Sequence, residues 1–198
     1  MKETGELTVK KFTDFIKPNI LIIFGALLLI MNLNALSAKG ANLALGIVAV
    51  IISVYYLAVG ILLVIMGNKF SPTSQKVFET LSVSLFAVFM FVNFLLTAID
   101  GGMGLTDWVV NILSMVSSLA LVIVYIMFKF ADAPNLLRFT YLFALIFVLA
   151  LLLDVLFNAG GALGGINVFL VAIYAAYSFY LFGSLNKDKE VSAQETKE

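Results

Sequence analysis

Residues 42–67 read NLALGIVAVIISVYYLAVGILLVIMG, a run of about 26 residues without a charge, long enough to cross a bilayer with some tilt. Its small residues are ordered. Gly46, Ser53, Gly60 and Gly67 recur every seven residues, which places them along one line of a helix. Asn42 and Ala49 lie near that line and Tyr56 at its edge. Lipid is as apolar as Leu, so helices in a bilayer gain by close backbone approach at small residues rather than by hiding large ones. The stretch therefore reads as a central membrane helix with a packing seam at Gly46, Ser53, Gly60 and Gly67. The seam either packs inside the bundle or offers a face to a second copy of the chain.

Composition extends this reading to the whole chain. Of 198 residues, 62% are hydrophobic and 12% charged, where a soluble domain carries about 25% charged residues. Lipid, not water, is the solvent that such a surface accepts. The net charge is zero and no long basic run is present, which argues against a nucleic-acid partner. The absence of cysteine and histidine removes disulfides, thiolate chemistry, the usual general base and the commonest transition-metal ligand. No catalytic residue, cofactor or metal site is expected.

Six spans are predicted, at about 18–37, 42–67, 77–99, 105–129, 135–157 and 164–185. The first apolar run lacks a small-residue cleavage site and is long enough to span, so it reads as a span and not as a signal peptide. Residues 1–17 are polar, with Val9, Phe12, Phe15 and Ile16 on one helical face; they form either a short interfacial helix or a solvated segment. Residues 186–198 are charged and read as a disordered tail. Of the 12 Lys and Arg residues, only Lys39 falls on the side opposite the termini, so the positive-inside rule puts both termini in the cytoplasm of a multi-pass protein of the cytoplasmic membrane. The fold class expected is all-α: six transmembrane helices arranged as three hairpins. The hairpins repeat at about 60 residues, with Gly67-Asn68-Lys69-Phe70 answering Met127-Phe128-Lys129-Phe130 and the glycines at 101, 102 and 104 answering those at 161 and 164.

Polar residues inside spans are costly and so informative. They gather toward the non-cytoplasmic ends: Asn32 and Asn34, then Asn93, Thr97 and Asp100, then Asp107 and Asn111, then Asp154 and Asn158, and finally Asn167. Several form stripes within about one sixth of a helix circumference. Glu79, Ser82, Asn93, Thr97 and Asp100 do so in span three; Asn111, Ser114, Ser118 and Tyr125 do so in span four. Thr140, Asp154 and Asn158 follow in span five, and Asn167, Tyr174 and Ser178 in span six. Asp154 lies about 6 Å inside Asn158 at 1.5 Å per residue. A carboxylate at that depth must pair, face water or take up a proton. Asp154, Asn93, Asn111 and Asn167 are thus a candidate site for a substrate or cation; the competing reading is interhelical hydrogen bonding. Asp107 is placed to cap span four. Trp108, Tyr125 and Tyr141 fall at interfacial depth and are expected in an aromatic belt, while Tyr55, Tyr174 and Tyr177 lie deeper, where their hydroxyls need partners. The glycine clusters have neither a preceding strand nor a following Lys, so they read as turns and not as a phosphate loop.

The first hairpin, from Gly25-Ala26-Leu27-Leu28-Leu29-Ile30 through Gly46-Ile47 to Gly60-Ile61-Leu62-Leu63-Val64-Ile65-Met66-Gly67, resembles the acid-resistance membrane protein HdeD family. That resemblance covers about a quarter of the chain and implies six spans built from hairpin repeats; it carries over no functional residue. In size, span number and orientation the chain is also similar to the substrate-binding subunits of energy-coupling-factor vitamin transporters. Two functions stay open at this point. One is a non-enzymatic integral membrane protein acting by helix packing or by binding a membrane-protein partner or a second copy of itself. The other is a transporter or substrate-capture subunit with an outward-facing polar site around Asp154.

Overall fold

The structure, a computed structural model, describes residues 19–37, 39–66, 69–100, 104–131, 133–158 and 167–183. Among them are six α-helices and no strand. α1 is Asn19–Asn32, followed by a 3-10 turn at Leu33–Ser37. α2 is Ala41–Met66, α3 Pro72–Asp100 and α4 Leu105–Phe130. A 3-10 turn at Pro134–Leu136 leads into α5, Leu137–Asn158; α6 is Asn167–Gly183. Four of these helices, α2 to α5, are long and apolar enough to cross a membrane, through Leu43–Met66, Thr73–Ile99, Asp107–Phe130 and Leu137–Phe157. α1 and α6 are apolar but shorter as described. The segment 1–17, the tail 186–198, Gly67 and the glycines at 101, 102, 160, 161, 164 and 165 lie outside the described residues.

Two helix ends differ from the sequence reading, each for a local reason. The third helix begins at Pro72 and not near residue 77. Ser71 caps it, its hydroxyl accepting the Ser74 amide at 3.2 Å, and Pro72 takes the first helical position, where a missing N–H costs nothing. The first helix gives way at Asn32 to the tighter 3-10 turn, and the Asn32 side-chain amide donates to the Leu28 carbonyl at 2.8 Å. Gly40 then reverses the chain into α2 with φ of +63°. Nothing lies within 4 Å of where its Cβ would be, so glycine is needed there for backbone conformation and not for space. At α4 the Gly104 amide donates to Asp107 Oδ2 at 3.2 Å, the capping role read from the sequence.

The chain divides between Phe78 and Glu79 into two compact units. In the first, the packed face of α2 carries its small residues. Gly46, Ala49, Ser53 and Gly60 are buried together with Ile52, Tyr56 and Val59, while Ile47, Val48, Ile51, Val54, Ile61, Val64 and Ile65 are exposed. In water that distribution would be unfavourable; in lipid it places large aliphatic side chains against acyl chains and frees small ones for close approach. α1 makes that approach at Gly25. A Cβ added to Gly25 would lie 2.9 Å from both the Ser53 carbonyl oxygen and the Leu57 amide nitrogen. Phe24 packs edge-on against Tyr56 with ring centroids 4.8 Å apart, and the Tyr55 hydroxyl donates to the Phe78 carbonyl at 3.1 Å.

In the second unit, α3 and α4 run antiparallel, joined near one end by Lys129 to Glu79 and near the other by Asn111 to the Phe94 carbonyl. α4 packs along α5, with the Pro134–Leu136 turn held against both. α5 and α6 are antiparallel, Phe147 meeting Tyr174 and Tyr141 meeting Phe182. Phe86 of α3 joins Phe147 and Tyr174 in a layer of three rings, with centroids 4.7 to 6.4 Å apart.

The Gly25 contact is testable. Gly25→Ala forces backbone against side chain at the α1–α2 crossing and is expected to cost about 1–3 kcal/mol, read as a lowered unfolding midpoint in detergent. An unchanged midpoint would show that the crossing is looser than the structure has it.

Candidate functional site

The ring layer of the second unit orders the polar residues around it. Phe86, Phe147 and Tyr174 mark the faces on which α3, α5 and α6 meet. Seven residues from each, toward the same end of the unit, stand Asn93, Asp154 and Asn167. Seven residues are nearly two helical turns, so each polar residue lies about 10.5 Å from its ring and within about 20° of the same face. The three helices therefore bring Asn93, Asp154 and Asn167 to one level, on faces that converge. All three side chains are half-buried.

α4 supplies the fourth member at that level. Asn111 is 3% exposed; its Nδ2 donates to the Phe94 carbonyl at 3.0 Å, next to Asn93 in the chain, and lies 3.9 Å from Met115 sulfur. With the donor spent on α3, the Oδ1 is left buried and has no hydrogen-bond partner among the described residues. Ser114, one turn further, is fully buried, and its hydroxyl is likewise unpartnered among them. The buried end of this level thus offers an amide oxygen, which accepts, and a serine hydroxyl, which can donate or accept; Asp154 places a half-buried carboxylate at the same level. Among the described residues no group of three or more His, Cys, Asp or Glu gathers that could hold a metal ion.

Most other interior polar groups are consumed locally. The hydroxyls of Ser53, Ser117, Thr97 and Thr140 donate to the carbonyl four residues back, at 2.6 to 3.1 Å, and Ser118 donates to Met115 at 2.9 Å. The Tyr174 hydroxyl donates across to the Val83 carbonyl at 2.8 Å. The need for partners read from the sequence is thus met at Tyr55 and Tyr174. Trp108 is exposed and Tyr141 half-buried, stacked on Phe179. Tyr125 departs from the belt expected of it. It is fully buried, with Phe182 at 5.3 Å and Phe128 at 6.4 Å, because the face of α4 that carries Asn111 and Ser118 turns inward along its whole length.

At the opposite end of the unit lies a feature that residue counting missed. Lys129 Nζ donates to Glu79 Oε2 at 2.8 Å, with the two side chains 5% and 11% exposed. In the sequence Lys129 counts as one more charge flanking a span, and Glu79 as the first residue of the α3 stripe. The signal was available. Glu79 lies near the start of α3 and Lys129 near the end of α4, so antiparallel neighbours bring them to the same height. Lys129 also extends the α4 stripe, since 129 and 111 are five turns apart at 3.6 residues per turn. The chain matches no protein-family model, no curated protein and no solved structure.

Breaking a buried pair from one side strands a charge, at about 3–5 kcal/mol. Lys129→Met should therefore lower stability by that order, while the double variant Lys129→Met/Glu79→Gln should lose less than Lys129→Met alone. Unfolding midpoints of both variants check this; a double variant worse than the single would mean that the two residues act independently.

Proposed function

We propose that this chain is a small multi-pass protein of the cytoplasmic membrane, with six spans in three hairpins and both termini in the cytoplasm, and that it captures or carries a small cationic solute without making or breaking bonds. The observation that carries the reading is the convergence of Asn93, Asp154 and Asn167 beyond the Phe86–Phe147–Tyr174 ring layer, with a buried, unpartnered Asn111 oxygen at the same level. A carboxylate from Asp154 and an amide oxygen from Asn111 at one level are groups that suit a metal cation of low charge or a protonated amine. The rings supply an apolar floor. Such a combination of apolar wall and few polar groups is what small-ligand sites share. By the count of Lys and Arg the site opens away from the cytoplasm.

A second reading keeps support from a different observation. Several of the strongest interior polar contacts join one helix to another: Asn111 to Phe94, Tyr174 to Val83 and Lys129 to Glu79. A protein that acts by rigid packing or by binding a membrane partner would use its polar residues in this way.

One experiment separates the two. The purified protein is screened for thermal shift against small cations and protonated amines. On the capture reading at least one stabilises the protein, and the shift disappears in Asp154→Asn although the variant still folds. A panel without effect, or a shift unchanged in Asp154→Asn, leaves the packing reading. Orientation is checked separately: a reporter fused after Glu198 should be active in the cytoplasm and silent outside.

A further inference from the structure

On the other side of the ring layer, Tyr125, Lys129 and Glu79 form a cluster that the capture site does not use. Three facts describe it. The Tyr125 hydroxyl is buried and has no hydrogen-bond partner among the described residues. Lys129 Nζ meets one acceptor among those residues, Glu79 Oε2, although an ammonium carries three N–H groups. The same nitrogen lies 5.9 Å from the Tyr125 ring centroid, and Glu79, Tyr174 and Tyr177 are within electrostatic reach of the Tyr125 hydroxyl.

The chemistry of the open positions defines what fits. A phenol O–H and ammonium N–H groups are donors, so the missing partner is an acceptor. An anion would have to approach Glu79, whose charge already balances Lys129; a neutral oxygen meets no such opposition. Leaving a buried donor unmade costs about 1–3 kcal/mol, and a buried water with two or more polar partners removes that cost. We propose that the Tyr125–Lys129–Glu79 cluster is a water-binding site, the water accepting from the Tyr125 hydroxyl and from an ammonium N–H of Lys129 that Glu79 leaves over.

This water is separate from the outer level. On the α4 stripe, Ser118 and Tyr125 are seven residues apart, about 10.5 Å along the axis. Between them stand Leu121, which is fully buried, and Val122, which is 9% exposed, with the ring layer beside them. A chain of waters needs polar partners at each step, and α4 itself supplies none across this interval. The proposal does not depend on a ligand at Asp154 and is read without one.

The chain contains no cysteine, so single cysteines can be introduced without removing others. Tyr125→Cys and Leu121→Cys both open a cavity, so the difference between them reports wetness and not space. With a small charged methanethiosulfonate reagent, Tyr125→Cys is expected to react roughly an order of magnitude faster, because a dry position reacts only through local opening. Tyr125→Phe, which removes the hydroxyl alone, gives a second readout. A wet site loses a water partner and the unfolding midpoint falls; a dry site sheds an unmatched polar atom and the midpoint rises. Equal, slow reaction at both cysteines, or a raised midpoint in Tyr125→Phe, would overturn the proposal.

Discussion

Within hydrocarbon a polar group has no water to fall back on, and that constraint governs the second unit. Nearly every donor inside it must find an acceptor on its own helix or on a neighbour. Ser84, Ser114 and Ser178 find no partner among the described residues, while Thr97, Ser117, Ser118 and Thr140 choose their own helix. Asn111, Tyr174 and Lys129 reach another, and all three reach α3. Two of the acceptors are carbonyls of α3, those of Val83 and Phe94; a helical carbonyl retains a second lone pair after its bond within the helix. The third is the Glu79 carboxylate. Apolar packing in lipid gives helices little preference for one register over another, since the tails match the side chains in polarity. A few directional bonds at different heights on α3 supply that preference, and the aromatic layer fills the space between them.

The first unit answers the same constraint with almost no polar groups. There the helices are brought together by the removal of side chains. Gly25 faces the backbone of Ser53 and Leu57 at a distance that leaves no room for a methyl group, and the Ser53 hydroxyl folds back onto the Ala49 carbonyl at 2.6 Å, presenting little bulk. The gain is dispersion between backbones at short range, lost as soon as they separate. α2 is apolar all round, and its packed face is marked by small residues at Gly46, Ala49, Ser53 and Gly60 with Ile52, Tyr56 and Val59 set between them.

Much of this was legible in sequence because lipid imposes simple rules. Length and apolarity located the four long helices, and seven-residue spacing located Ser53 on the buried face of α2. Legibility failed where the answer depended on a partner outside the local pattern. Gly25 stands alone in α1, and nothing near it announces that Ser53 and Leu57 will sit over it. The third span is expected from about residue 77, five residues late, because the Ser71 cap that lets Pro72 open the helix is a matter of three-residue geometry. Tyr125 was assigned by depth alone, although its place on the Asn111–Ser118 stripe turns it inward. Lys129 was counted as a flanking charge, since a tally of cations cannot register that one of them is buried against a carboxylate 50 residues away.

The two ends of the second unit differ in charge logic, and that difference bears on what each does. At one end the half-buried Asp154 carboxylate stands level with the amides of Asn93, Asn111 and Asn167. At the other, Lys129 meets Glu79 and the two charges cancel. A balanced buried pair is not a source of stability in itself, because desolvating both partners offsets their attraction and apolar residues of like volume often do as well. The choice of lysine then matters. Arginine would hold a carboxylate with two parallel bonds, whereas Lys129 meets Glu79 through one, at 2.8 Å, beside the unmatched Tyr125 hydroxyl. The two ends thus differ in what the described residues leave unmet: an amide oxygen and a serine hydroxyl at the Asn111 level, and a phenol beside spare ammonium N–H groups at Lys129.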